Sequence, residues 1–367
     1  MRSAYLLLIV FVVLVLAGCV QTSAELGMQS LSQSNKTAWS LRAVSEEPMV
    51  AMSPAQRTLR FAGSAGAVVG TGVTVVANEK HRKALLVALD GYDPVTFSHT
   101  YAEERLKMVL GDNQVQPPGS MAGFPNRRAA KEAREDHLDD MGFDAVLDVK
   151  TSQGLFGPSA GFAYAIEAKL DDLPSGHARY SKEMVYVPGP ILAHATNADP
   201  RGGLLPDVKE NLLSVEKGAL DRWLVDGGTP YREAVEEGAR EMLAALLCDL
   251  GLDEDPRGFY QLGRQALREK DSEMAIAHFE RALMLDDALV SARNGLAVSH
   301  ALAGQTGRAI EMTEALLADA PDYSAAHFNL AWWYAVVQNA PDKARSHYEK
   351  ATTQGMPASK KIEEALS

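Results

Sequence analysis

The sequence predicts an N-terminal leader and two folded parts: an α+β domain with an antiparallel meander and helices, then an all-α solenoid of short repeats. Three observations predict this. Leu262, Leu296 and Leu330 stand 34 residues apart, each followed by Gly or Ala, and a fixed period of that length marks stacked helix pairs. Between Phe143 and Val187, stretches that alternate apolar and polar residues are separated by turn signals, as half-buried strands are. The chain starts with a basic residue and an unbroken apolar run that ends in small residues and Cys19, which reads as a secretory signal and not as a spanning helix.

The end of that run, Leu16-Ala17-Gly18-Cys19, resembles the lipobox of bacterial lipoproteins. The resemblance implies a signal peptide over residues 1–18, cleavage before Cys19, diacylation of its thiol and acylation of the new N-terminus. Several acyl chains anchor stably, since each buried CH2 contributes about 0.8 kcal/mol. Val20 in place of Asp implies sorting to the outer membrane, facing the periplasm. The other cysteine, Cys248, lies in the apolar helical run MLAALLCDLGL. It reads as a buried, inert thiol, because the neighbouring Asp249 opposes a thiolate. With Cys19 lipidated, no intramolecular disulfide can form.

The net charge is −12, and removing residues 1–18 takes away only Arg2, giving −13. An acidic chain is a poor ligand for nucleic acid, which needs clustered cations. A hydrophobic fraction of 46% is ordinary for a globular protein and excludes a polytopic membrane protein.

Residues 19–58, rich in Ser, Gln, Ala and Glu with little periodicity, read as a lipidated tether; about forty flexible residues span roughly 35 Å. The segment 59–78 contains AGSAGAVVGTGVTVVA, small or apolar throughout, with Gly66 and Gly70 as a small-xxx-small pair. It reads either as a glycine-rich turn or strand buried against the folded domain, or as a segment that dips into the bilayer or packs on its own copies.

Residues 79–252 read as the α+β domain. KHRKALLVAL is helical. A second helix is capped by Asp93, has Pro94 in its first turn and stops at Gly111; a third follows in NRRAAKEAREDHLDDMG and closes at Gly142. FDAVLDVKT, GFAYAIEAKL and ARYSKEMVYV form the meander, with Phe143, Ala145, Leu147 and Val149 expected on one face. A long loop, PGPILAHATNADPRGGLLP, leads to helices around 206–224 and 230–250. This middle region resembles uncharacterised proteobacterial envelope lipoproteins and the periplasmic domain of curli-type secretion lipoproteins, a resemblance that implies helices on one face of an antiparallel sheet.

Residues 253–367 carry the repeats. Leu262-Gly263, Ala266, Ala275, Phe279 and Ala282, then Leu296-Ala297, Ala309 and Pro321, then Leu330-Ala331 and Tyr334, resemble the tetratricopeptide (TPR) family over about three units. Thr313 departs from it, standing where a large apolar residue is usual. Ala344, Tyr348 and Ala351 fit only after one residue inserted in VVQNAPD, and PASKKIEEAL reads as a polar capping helix. A single helix pair cannot bury its apolar face alone, so about three are needed.

The TPR resemblance implies a concave groove lined by the first helix of each repeat. By position, the lining residues are Arg257, Tyr260, Arg264 and Arg268, then Asn294 and Val298, then Phe328 and Trp332. One end is cationic and the other aromatic, which suits a partner segment with an acidic part and an apolar anchor. These side chains are expected to face solvent in the free protein. Trp332 has a second reading, packing against the last helix.

Other chemistry finds little support. GPSAG at 157–161 fits the G-x-S-x-G nucleophile elbow with Ser159 as the serine, but an elbow needs a following helix and here a strand pattern follows. The nine His residues lack zinc spacing, and no metal or cofactor is expected. The sequence therefore predicts a non-enzymatic, membrane-anchored periplasmic adaptor that binds a protein partner. The alternatives are a self-associating subunit of an envelope assembly or secretion complex and, third, a hydrolase using Ser159.

Overall fold

A computed structural model describes residues 36–45, 47–51, 72–117, 126–156, 160–173, 175–193 and 218–367. An N-terminal region built on a mixed sheet is followed by a helical region. Cys19, Ser159 and residues 62–71 of the glycine-rich segment lie outside the described residues.

The strands are β1 (Thr37–Ala43), β2 (Met49–Ala51), β3 (Ala145–Phe156), β4 (Gly161–Asp172) and β5 (Ala178–Tyr186). β3, β4 and β5 are antiparallel neighbours, as the alternation predicts. Ala145, Leu147 and Val149 share the main core, but Phe143 packs in a second cluster with Ala38, Leu138 and Val146 on the opposite face. Phe143 precedes the strand, so its side chain does not follow the strand's alternation.

The tether expectation is corrected at its end. β1 and β2 both pair parallel to β3, in the order β1-β3-β4-β5 with β2 also on β3. Trp39 is fully buried, and its Nε1 donates to the Gly111 carbonyl at 3.0 Å. Ser40 Oγ donates to Asp148 Oδ1 at 2.5 Å, and Arg134 binds both carboxylate oxygens of the same Asp148 at 2.9 and 2.7 Å. β1 is buried on both faces, so it lacks the polar-out alternation that marks a strand in sequence. At Gly154 an added Cβ would strike the Met49 backbone, so only glycine lets β2 come this close to β3.

Helix α1 (Gly72–Leu89) begins inside the glycine-rich segment, ahead of the predicted boundary at 78. α2 (Pro94–Leu110) has the expected cap: Asp93 accepts from the N–H groups of Val95 and Thr96. α3 (Arg127–Asp140) is capped by Asn126, which accepts from Ala129. α4 (Asp221–Asp249) is broken at Val225–Gly228, where Asp226, Gly227 and Gly228 take positive φ, so the long helix starts near Thr229. It lies on β4, and an added Cβ at Gly238 would strike the Tyr164 side chain.

The helical region contains α5 (Pro256–Glu269), α6 (Ser272–Leu285), α7 (Val290–Leu302), α8 (Thr306–Asp319), α9 (Ser324–Trp332), α10 (Pro341–Thr353) and α11 (Lys360–Leu366). Successive helices pack in pairs: α5 with α6, α7 with α8, α9 with α10. Trp333–Val337 is a π turn, which takes one extra residue into the helix. Thr313 is fully buried and its hydroxyl donates to the Ala309 carbonyl at 2.8 Å, which satisfies the polar group inside the pair.

The boundary drawn at residue 253 is not a break in packing. One apolar core runs from Trp39 through α4 into the helical region as far as Ile362. Gly258 of α5 sits against Cys248 and Ala244 of α4.

Candidate functional site

After β5 the chain does not leave the molecule. Residues 187–193 cross the helical region as an extended strap, and α5, α7 and α9 each meet it. Arg268 Nη2 donates to the Val185 carbonyl, and Arg264 Nη2 donates to the Val187 carbonyl at 2.9 Å. Asn294 Nδ2 donates to the Ile191 carbonyl at 2.9 Å, and Asn329 Nδ2 donates to the same oxygen at 3.2 Å. The Ala193 N–H donates to Asn329 Oδ1 at 2.7 Å, and the two asparagines are joined by Asn329 Nδ2 to Asn294 Oδ1 at 2.9 Å. Every helix-to-strap hydrogen bond described here ends on a backbone atom.

The strap's own sequence suits this role. Pro188 and Pro190 favour extended backbone and bring no N–H that would need a partner. Gly189, between them, has a φ of 113°, which side-chain-bearing residues avoid. Ile191, Leu192 and Ala193 are buried at 8–9% exposure, while Pro188, Gly189 and Pro190 are exposed.

The predicted groove residues are thus partly brought together, but not as a solvent-facing surface. Arg264 and Arg268 are committed to the chain's own carbonyls, so they do not await an acidic partner. Burial, then the like charge of Arg264, pulls the Arg268 guanidinium down to about 9, which leaves it cationic at neutral pH. Tyr260 packs on Phe279 with ring centroids 5.9 Å apart, and the Arg264 guanidinium lies 5.7 Å from the Tyr260 ring. Arg257 is exposed at the start of α5. Val298 and Phe328 are core residues at 1% and 0% exposure. Trp332 is half-buried with the Lys361 ammonium of α11 5.7 Å from its ring; it follows the second reading, packing against the last helix. The aromatic end fails as a groove because the last helix covers it.

Asn329 is the strap-holding residue that sequence reading missed. A buried amide in the apolar run HFNLAWW was the available signal, since a buried polar side chain requires a partner. Asn294 and Asn329 are exposed by only 1% and 0%, and together with the strap backbone they satisfy each other.

Elsewhere the chemistry is quiet. Burial pushes the Cys248 thiol up to about 12, as expected for an inert cysteine. β3 and β4 pair up to Phe156 and Gly161, so the element that follows Ser159 in the chain is a strand, where an elbow needs a helix. Among the described residues no group of three or more His, Cys, Asp or Glu could hold a metal, and no helix is long and apolar enough to cross a membrane. A cavity of about 10 Å³ beside Gln153 and Tyr164 has room for one water. His327 and His347 meet Nδ1 to Nδ1 at 2.9 Å, and His327 Nε2 lies 2.9 Å from the Pro321 carbonyl. Burial, then His327, lowers the His347 pKa.

No protein-family model matches the chain, and no curated protein gives a significant match.

Proposed function

We propose that this chain is a lipid-anchored, non-enzymatic adaptor of the cell envelope, held at the outer membrane through Cys19 and facing the periplasm. Its helical region acts as a tetratricopeptide solenoid that holds an extended segment of a protein partner. The observation that carries this reading is the backbone-directed arrangement of Arg264, Arg268, Asn294 and Asn329 across the first helix of three successive pairs. A groove that pairs with main-chain carbonyls and N–H groups is suited to extended protein segments. The further support is the lipobox and the burial of Leu262, Leu296 and Leu330 at their 34-residue spacing.

The test is crosslinking capture from membranes with the lipidated full chain, comparing wild type with Asn294→Ala and Asn329→Ala. Partner capture that falls in both variants supports the adaptor. Capture unchanged in both removes the groove as the binding surface.

A further inference from the structure

We infer that residues 187–193 are a resident ligand of the groove, and that a partner binds by displacing them with an uncharged, extended, aliphatic segment of the same chemistry. The inference rests on the adaptor reading and names the partner's chemistry and its mode of entry.

Three features of the strap lead to it. The helices hold the strap through the carbonyls of Val187 and Ile191 and through the Ala193 N–H, and Arg268 holds the β5 carbonyl of Val185 just before it. Any extended chain presents those atoms at the same spacing, so these contacts do not depend on the strap's own side chains. What they leave to side chains is the burial of Ile191, Leu192 and Ala193, which selects aliphatic and small residues and rejects charge. The entry to the strap is the exposed Pro188-Gly189-Pro190. Its glycine carries the one positive φ between β5 and Ala193, so a turn about Gly189 would lift Ile191–Ala193 without disturbing the β4–β5 ladder, which ends at Tyr186.

The groove also resists standing empty. Asn294 and Asn329 are buried, and losing the strap would leave their amides short of partners. Of the two arginines, four residues apart on α5, Arg264 would lose its bond to the Val187 carbonyl, while Arg268 keeps Val185 of β5 and Gln265. A partner therefore enters by exchange, taking over these hydrogen bonds as the strap gives them up. Because the strap is tethered, it competes at an effective concentration in the millimolar range, which keeps weak or wrongly shaped segments out. The acidic partner suggested by the arginines is replaced by an uncharged one, since both guanidinium groups already serve backbone oxygens.

The experiment uses the full chain in detergent and a fluorescent synthetic peptide, Val-Pro-Gly-Pro-Ile-Leu-Ala-His-Ala, copied from residues 187–195. The double variant Ile191→Asp, Leu192→Asp expels the strap by burying charge. The expected result is peptide binding about tenfold tighter or more in that variant than in wild type, a rise of its melting temperature on adding peptide, and loss of both when Asn329→Ala is added. If the double aspartate chain does not fold, Ile191→Ala with Leu192→Ala provides the same comparison with a weakened strap. Equal, Asn329-dependent affinity in wild type and the strap variant overturns the resident-ligand inference while the groove stands as a binding surface. No binding in any folded variant overturns both.

Discussion

The sheet region and the helical region hold their buried segments with a different balance of side-chain packing and backbone contacts. In the sheet region, β1 joins its ladder to β3 and is locked there by its side chains: Trp39 and Leu41 enter the main core, and Ala38 enters the second cluster with Phe143. In the helical region, the strap is held by amides and guanidinium groups that address its backbone, with three side chains buried at its end. Apolar packing of a bulky ring depends on that ring and gives a permanent joint. Side-chain amides and guanidinium groups that address only the backbone are indifferent to the sequence they hold, which is what the proposed exchange of the strap requires.

The sharpest way to break this comparison is at the permanent joint. Trp39→Ala should cost about 3–5 kcal/mol, the usual range for removing a fully buried large aromatic. Because one core runs from Trp39 to Ile362, both regions should lose stability in a single denaturant transition. Separate transitions for near-ultraviolet and far-ultraviolet signals would show two independent cores.

Next in size is a pH effect at the seam between the regions. His278 stacks on Phe259 at 6.3 Å, and burial holds its pKa down at about 4, with Asp249 and Asp271 opposing that and Lys182 adding to it. A histidine with a depressed folded pKa binds its proton more readily in the unfolded chain, so its contribution is complete above about pH 6.5 and is lost as pH falls toward 4. The cost there is about 3 kcal/mol. Urea midpoints measured from pH 7 to 4 should fall accordingly, and His278→Gln should flatten the slope.

At the exchangeable joint the effect is smaller. Asn329→Ala leaves the buried Ala193 N–H without its acceptor and should cost about 1–3 kcal/mol, with β3 and β4 unaffected. The smallest effect on folding is expected from Cys19→Ser, which should abolish metabolic acyl labelling and leave the melting temperature unchanged. Acyl labelling at the wild-type level would contradict the anchor.

Local signals carried much of the fold. Asp93 caps its helix as read, and the three alternating stretches pair as a meander. The parallel pairing of β1 with β3 was not legible. Thr37 aligns with Ala145, 108 residues away, and a strand buried on both faces shows no alternation. The site was half legible. Position in the repeats pointed to Arg264, Arg268 and Asn294, but nothing local marks PGPILA as their ligand, because the contacts run through its backbone. Trp332 misled because a large aromatic on a first helix looks alike whether it faces a groove or lies beneath a capping helix.

The most direct test of the central claim, that the groove is filled by the strap and held there by the asparagine pair, is hydrogen exchange at the Ala193 amide in the full chain. The structure predicts strong protection in wild type, through the 2.7 Å bond to Asn329 Oδ1, and loss of most of that protection in Asn329→Ala while amides of β3 and β4 exchange unchanged. An Ala193 amide that exchanges in wild type as fast as an exposed loop would contradict the account.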